Sequence, residues 1–323
     1  SSCHDSMPGP DGIPYSAYRH PVLRASLWNV YASMKNGCYP SASFNYGLMV
    51  FIPKKPDPSL ASVSALPKDS RTLTMSNSDA KIVARAVERP LSSLVRLVVS
   101  PNQRGFVKDR IISDNLVQIE AYSHKLERSC LPWCCLFLLD VMAAFPSLAH
   151  LWIFFLLEAH HVPPFIILII RMLYHDCIMF LRFGKTVRRS FAITSGIKQG
   201  CPLSGAIFAL AIDPLLRRLN ELVKPHHGIA VAFADDLALA TGRSVWLLPY
   251  IFSILQLAGR TMNLWMNYSK VMVIPLKGCA PDRLKALFAA EVPDFARCAF
   301  VVVARYLGVQ IGINGRTLSW RLV

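Results

Sequence analysis

Long apolar runs are missing from this 323-residue chain, although 53% of it is hydrophobic. Two of those present, Leu151–Leu157 and Phe165–Ile170, are bounded by Glu158, His160, His161, two prolines and Arg171. Neither approaches the roughly 20 residues of a bilayer-crossing helix, so no membrane is expected as a partner. No basic-then-apolar signal peptide opens the chain, and no other targeting signal is visible. Cysteine forms no C-x-x-C pair: nine residues, an odd count, are scattered from Cys3 to Cys298. That argues against a zinc site or a disulfide framework and for reduced thiols in an intracellular protein. His160-His161 and His226-His227 also lack zinc-ligand spacing. Acidic residues are scarce, with 20 Asp+Glu against 35 Lys+Arg, a net charge of +15 and a pI near 9.6. Charged residues total only 17%, which excludes a disordered polyelectrolyte. On a folded chain, the basic surplus favours a polyanionic partner, nucleic acid first. No internal repeat or low-complexity segment is present, and a chain opening on Ser1 is expected to be cut from something longer.

What is present alternates helical and strand texture. Apolar spacing predicts helices over Tyr15–Lys35, Ser78–Val99 (interrupted at Pro90), Ser113–Arg128, His150–Tyr174, Pro202–Leu222 and Val245–Leu264. Strands are expected at Gly47–Ile52, Leu136–Leu139, Val271–Pro275, Ala299–Val303 and Tyr306–Ile311, with a hairpin over Cys177–Phe191 broken at Gly184. A loop is expected from Pro53 to about Lys68. Without βαβ regularity, the class is α+β.

Phe233-Ala234-Asp235-Asp236 lies between Ile229-Ala230-Val231-Ala232 and Leu237-Ala238-Leu239-Ala240, which reads as strand, turn, strand. Two adjacent carboxylates at such a turn repel each other and resist burial, unless a hard divalent cation such as Mg²⁺ sits between them. The alternative is a solvated turn. Leu136-Phe137-Leu138-Leu139 delivers a third carboxylate, Asp140, at the end of a buried strand. Three carboxylates on one sheet rim would hold two Mg²⁺ ions roughly 3.5–4 Å apart, the apparatus of phosphoryl transfer.

Further blocks stand in order around these. They are Pro8-Gly9-Pro10-Asp11-Gly12-Ile13-Pro14, Phe51-Ile52-Pro53-Lys54-Lys55, Arg71-Thr72-Leu73 with Lys81-Ile82, and Gln103-Arg104-Gly105-Phe106-Val107 with Arg110 and Asp114-Asn115. Leu138-Leu139-Asp140 with Ala144-Phe145, Ser195-Gly196-Ile197-Lys198-Gln199-Gly200-Cys201-Pro202-Leu203-Ser204, Asn267-Tyr268-Ser269-Lys270 and Tyr306-Leu307-Gly308-Val309 continue the series. Together they resemble the reverse transcriptase domain of non-LTR (LINE-type) retrotransposons.

The resemblance implies a right-hand polymerase fold of fingers and palm, an antiparallel palm sheet flanked by helices. Fingers with an N-terminal extension are expected over 1–128, palm over 129–149, fingers over 150–200 and palm over 201–323, up to a primer-supporting hairpin. The thumb is expected to be missing or truncated. The implied activity is RNA-directed DNA synthesis: two-metal transfer from a dNTP to a primer 3′-OH, on an RNA template with a DNA primer. The implied cofactor is Mg²⁺, with Mn²⁺ as a substitute, and the implied location is the nucleus. Asp140, Asp235 and Asp236 would ligate metal with the Val141 carbonyl, and Lys270 would protonate pyrophosphate. Arg71 would grip the triphosphate, Phe145 would lie under the sugar and exclude a 2′-OH, and Gln199 and Gly200 would line the nucleotide site. Lys54, Lys55, Arg110, Arg182, Lys185, Arg188, Arg189 and Lys198 would contact nucleic acid.

The chain departs from the family's pattern at Pro146, Thr72, Gly205 and Phe233, none of which removes a catalytic group. An RNA-dependent RNA polymerase shares the paired aspartates, but Phe145 argues against it. An inactive nucleic-acid-binding remnant and a group II intron maturase-like enzyme remain as alternatives.

Overall fold

The computed structural model describes residues 7–54, 70–183, 186–277 and 279–312. In chain order these form α1 (Pro21–Lys35), β1 (Gly47–Pro53), β2 (Ser70–Ser76), α2 (Ser78–Val98), α3 (Ile112–Glu127), β3 (Cys135–Leu139), α4 (Ala144–Ser147), α5 (His150–Ala159) and α6 (Pro164–Leu173). There follow β4 (Ile178–Phe183), β5 (Thr186–Ala192), α7 (Ser204–Val223), β6 (Ile229–Phe233), β7 (Asp236–Thr241), α8 (Ser244–Met262), β8 (Met272–Pro275), α9 (Pro281–Glu291), β9 (Ala299–Phe300), β10 (Val303–Tyr306) and β11 (Val309–Gly312).

Proline decides several boundaries. The helix expected over Tyr15–Lys35 opens as a 3-10 turn and restarts at Pro21, where a missing N–H costs nothing. The one expected over His150–Tyr174 divides, because Pro163-Pro164 ends one helix and begins the next. Pro90, in contrast, does not interrupt α2. Its neighbours Val87 and Leu91 are buried, and that packing offsets the lost bond and ring clash, together about 3 kcal/mol. Tyr306–Ile311 is two strands, not one, turning at Leu307-Gly308 with positive φ at both residues. β2 and α9 were not expected.

The chain forms two compact units: residues 1–93 with 153–204, and residues 94–152 with 205–323. The first unit holds the four-stranded sheet, in order β2-β1-β4-β5. The second holds the five-stranded sheet β6-β7-β3-β8-β9 and the β10–β11 hairpin. Residues 94–128 therefore cluster with 129–152 and not with 1–93. The reason is packing: α3 lies on β6 and β7. Its fully buried Ile119 and Leu126 join Leu136, Leu138, Val231, Ala238 and Ile274 in one core.

β3 is buried at every position because both of its faces are covered. Leu136 and Leu138 face the α3 core, while the Phe137 ring stacks 5.8 Å from Phe288 of α9. Burying each such side chain contributes about 1.5–3 kcal/mol. A strand anchored this firmly gives its first polar residue, Asp140, a fixed starting point.

Candidate active site

The register of the second unit's sheet gathers the carboxylates. β3 and β7 pair antiparallel with Leu139 opposite Leu237, so one residue further places Asp140 beside Asp236. The β6–β7 hairpin pairs Phe233 with Asp236, leaving Ala234-Asp235 as a two-residue turn. Ala234 takes φ of +57°, unusual for a residue with a Cβ. Burial raises the Asp235 carboxyl, its own backbone N–H opposes that, and the Asp140 charge raises it further. Burial also raises Asp236, followed by the charges of Asp235 and Asp140. The three carboxylates thus sit within one another's fields. Lys270 Nζ stands 3.8 Å from Asp140 Oδ2.

Val141 bridges Met266, with Met142 N–H bonding the Trp265 carbonyl and Asn267 N–H bonding that of Asp140. In that antiparallel pattern, the Val141 carbonyl points to the opposite edge, the β7 side. The rim therefore offers hard oxygen donors whose negative charge Lys270 offsets only in part, which suits a divalent cation. Among the described residues, no three acidic, His or Cys side chains close into a group able to hold a metal alone. Mg²⁺ does not require such a cage: it commonly takes one or two carboxylates and keeps waters or substrate phosphates.

Phe145, on α4, is half-buried. Its ring lies flat on Phe208 of α7, centroids 4.5 Å apart at 8°, and meets Phe106 edge-on at 5.7 Å. A Cβ at Gly205 would come within 2.8 Å of the Phe106 ring. The departure at Gly205 thus makes room for Phe106, which helps fix Phe145.

The family model for reverse transcriptase (RNA-dependent DNA polymerase) matches residues 52–311. The chain belongs to the reverse transcriptase family. Similar proteins include the retrovirus-related Pol polyprotein from type-2 retrotransposable element R2DM of Drosophila melanogaster, 28% identical over 334 residues, covering 96% of this chain and 29% of that protein. Another is the transposon TX1 uncharacterized 149 kDa protein of Xenopus laevis, 29% identical over 246 residues, covering 73% of this chain and 18% of that protein. The chain thus spans less than a third of either relative. Among solved structures, apo telomerase from Candida tropicalis truncated from its C-terminal domain superposes with a TM-score of 0.58 at 11% identity, over 89% of this chain and 58% of that one. Telomerase from Candida albicans in complex with a TWJ fragment of telomeric RNA gives 0.54 at 13%, over 93% and 49%. At such identities the likeness shows the fold alone, and that fold is the right-hand polymerase fold.

Within this reverse transcriptase fold, the other expected residues divide. Arg71 lies on β2, and the outer edge of β2 is covered by the Gln199-Gly200 loop. Thr74 N–H donates to the Gln199 carbonyl at 2.9 Å, and a Cβ on Gly200 would meet the Thr74 carbonyl at 3.0 Å and Leu73 at 3.4 Å. Strand register puts Arg71, Arg182 and Arg189 on one face of this sheet and Arg188 on the other. Lys54 is exposed at the end of β1, whereas Lys55 and Lys185 lie outside the described residues.

Two residues expected to contact nucleic acid have their cationic groups engaged within the protein. Lys198 is buried, donates to the Leu173 carbonyl at 3.0 Å and lies over the Tyr174 ring. Arg110 spends its guanidinium on the carbonyls of Arg96, Val99, Ser100 and Gln103, at 2.5–3.3 Å, closing the end of α2. Both cations serve backbone oxygens, which residue type alone cannot reveal.

Sequence reasoning assigned no role to Gln103, Arg104 and Asn115, yet they surround the Asp235 turn. Gln103 is fully buried and bonds both polar groups of Ala234. Arg104 donates to Asn115, Asn115 to the Tyr306 hydroxyl, and Tyr306 to the Asp236 carbonyl at 3.4 Å. The available signal was Gly105, whose Cβ would fall 2.0 Å from Ala234 N. A glycine beside a polar pair marks a close backbone approach.

Proposed function

We propose that this chain is the catalytic core of an RNA-directed DNA polymerase, adding dNTPs to a DNA primer on an RNA template. The observation that carries this is the rim of Asp140, Asp235 and Asp236, three mutually repelling carboxylates on adjacent strand ends in a reverse transcriptase fold. These side chains and the Val141 carbonyl would hold Mg²⁺, or Mn²⁺ in its place. The chemistry such cations would supply there is Lewis acidity, toward the primer hydroxyl and toward the leaving pyrophosphate. Phe145, held by Phe208 and Phe106, presents a flat surface to the sugar of the incoming nucleotide. Lys270, paired with Asp140, holds a proton for the pyrophosphate. In this reading residues 1–128 and 150–200 are the fingers and residues 129–149 and 201–323 the palm. Arg71, Gln199 and Gly200 take nucleotide roles by family resemblance, and a nuclear location belongs to the same proposal. No helix among the described residues is long and apolar enough to cross a membrane.

Primer extension tests the reading, using this chain alone and within any longer polypeptide that carries it. Labelled primer on an RNA template should lengthen with dNTPs and Mg²⁺ and not with EDTA. Absence of extension from both forms would overturn it.

The arginines separate by location. Arg189→Ala should lower the salt dependence of RNA binding by about one unit of slope and leave thermal stability unchanged. Arg110→Ala should do the reverse: it strands several carbonyls, costs about 1–3 kcal/mol or more, and leaves the slope unchanged. Binding titrations from 50 to 200 mM salt, with thermal unfolding, distinguish the two.

A further inference from the structure

We propose that Gln103 is a positioning residue that sets the direction of the Asp235 carboxylate by fixing the Ala234–Asp235 peptide; this rests on the polymerase reading above. Its Oε1 accepts from Ala234 N–H at 3.1 Å and from Gly105 N–H at 2.8 Å, and its Nε2 donates to the Ala234 carbonyl at 3.2 Å. One amide thus binds the groups on both sides of the Ala234 Cα. The second of these, the carbonyl, belongs to the peptide that leads into Asp235.

The turn needs such a partner. A non-glycine residue at φ of +57° is held by its surroundings and not by preference. Ala234 itself is buried, so water is not the partner. The Gln103 loop is docked by backbone too: Arg104 N–H bonds the Ala232 carbonyl, and Ala232 N–H bonds that of Asn102, both at 2.9 Å. The loop is fixed from behind by Arg110, which donates to the Gln103 carbonyl. It is fixed also by Asp213, which accepts from Ser100 N–H at 2.8 Å and pairs with Arg217. Gln103 is therefore the contact through which a rigid loop controls a strained turn. It touches no reacting atom.

Gln103→Met keeps the length and packing of the side chain and removes all three bonds. In the full chain, without metal or substrate, amide hydrogen exchange across residues 233–237 should accelerate at least tenfold while the α8 amides keep wild-type protection. With metal and primer–template, kcat should fall about ten- to a hundredfold, the range for losing a group that orients a ligand side chain, with dNTP KM unchanged. Adding Ala234→Gly, which relieves the positive φ, should recover part of the kcat. Unchanged exchange in the turn, or a kcat loss accounted for by the unfolded fraction alone, would overturn the proposal. Should Gln103→Met not fold, Gln103→Glu decides by the same exchange measurement. Measured at a pH where the new carboxyl is ionised, it keeps both accepted bonds and loses the donated one, so protection should fall at Asp235 and hold at Ala234; wild-type protection at both would overturn the proposal. The exchange arm needs no turnover: a wild-type protein that fails to extend primer sinks the polymerase reading and leaves the role of Gln103 to be decided by exchange.

Discussion

Asp235→Asn is expected to cut primer extension by about a hundredfold or more and, in the absence of metal, to make the protein more stable at neutral pH. The first effect follows from removing an anionic ligand where charge is concentrated. The second follows from electrostatics. Burial and the Asp140 charge raise the folded-state pKa of Asp235 above its ordinary 3.8. The folded protein then binds the proton more tightly than the unfolded chain, so stability falls as pH rises from 3.8 through the raised value. Above that value the full penalty is present, and an isosteric amide removes it. Thermal unfolding in EDTA should show the variant ahead of wild type at pH 8, with the gap closing as pH falls toward the ordinary carboxylate range. Mg²⁺ should reverse the order by favouring the wild type. A variant that extends primer at the wild-type rate would reject the metal assignment. One that is less stable than wild type at pH 8 would reject the picture of net repulsion.

Phe145→Ala should relax sugar selection. Steric discrimination of this kind is worth roughly 1–3 kcal/mol, so ribonucleotide use relative to deoxyribonucleotide use should rise about ten- to two-hundredfold. The ratio of kcat/KM for UTP and dTTP on the same primer–template measures it. Phe208→Ala removes the surface on which Phe145 lies, 4.5 Å away, and should move the ratio in the same direction by a smaller amount. An unchanged ratio in Phe145→Ala, with normal dTTP incorporation, would leave the ring a packing role only.

The carboxylate rim was legible in the sequence because its strands are anchored by apolar contrast. Leu136-Phe137-Leu138-Leu139 can be continuously apolar only if both faces are covered, and the next residue, Asp140, must then be at the rim. β2 was not legible. Its Ser70-Arg71-Thr72-Leu73-Thr74-Met75-Ser76 has little apolar contrast, and it becomes a strand through pairing with β1 along its length. α9 was missed because only Leu284 and Phe288 of its eleven residues are buried, too narrow a stripe to read. The backbone partners of Lys198 and Arg110 were not legible for a different reason. A cation directed at solvent phosphate and one directed at a carbonyl are the same letter in a sequence, and only the fold shows which oxygens are near. Gln103 and Tyr306 were visible as members of blocks, but their joint hold on the Asp235 turn depends on contacts across 131 and 70 positions.

β6 is the terminal strand of the five-stranded sheet, and a bare terminal strand offers a row of unpaired donors and acceptors to any extended segment that meets it. Here residues 102–104 occupy that row at Ala232, and the absence of a side chain on Gly105 lets them approach. Solubility and precision of the site therefore share one short loop. A substitution that pushes the loop away would loosen the Ala234-Asp235 turn and, in the same movement, expose a surface onto which other polypeptides can add as strands. Lost activity and self-association should then appear together, with Asp140, Asp235 and Asp236 still intact.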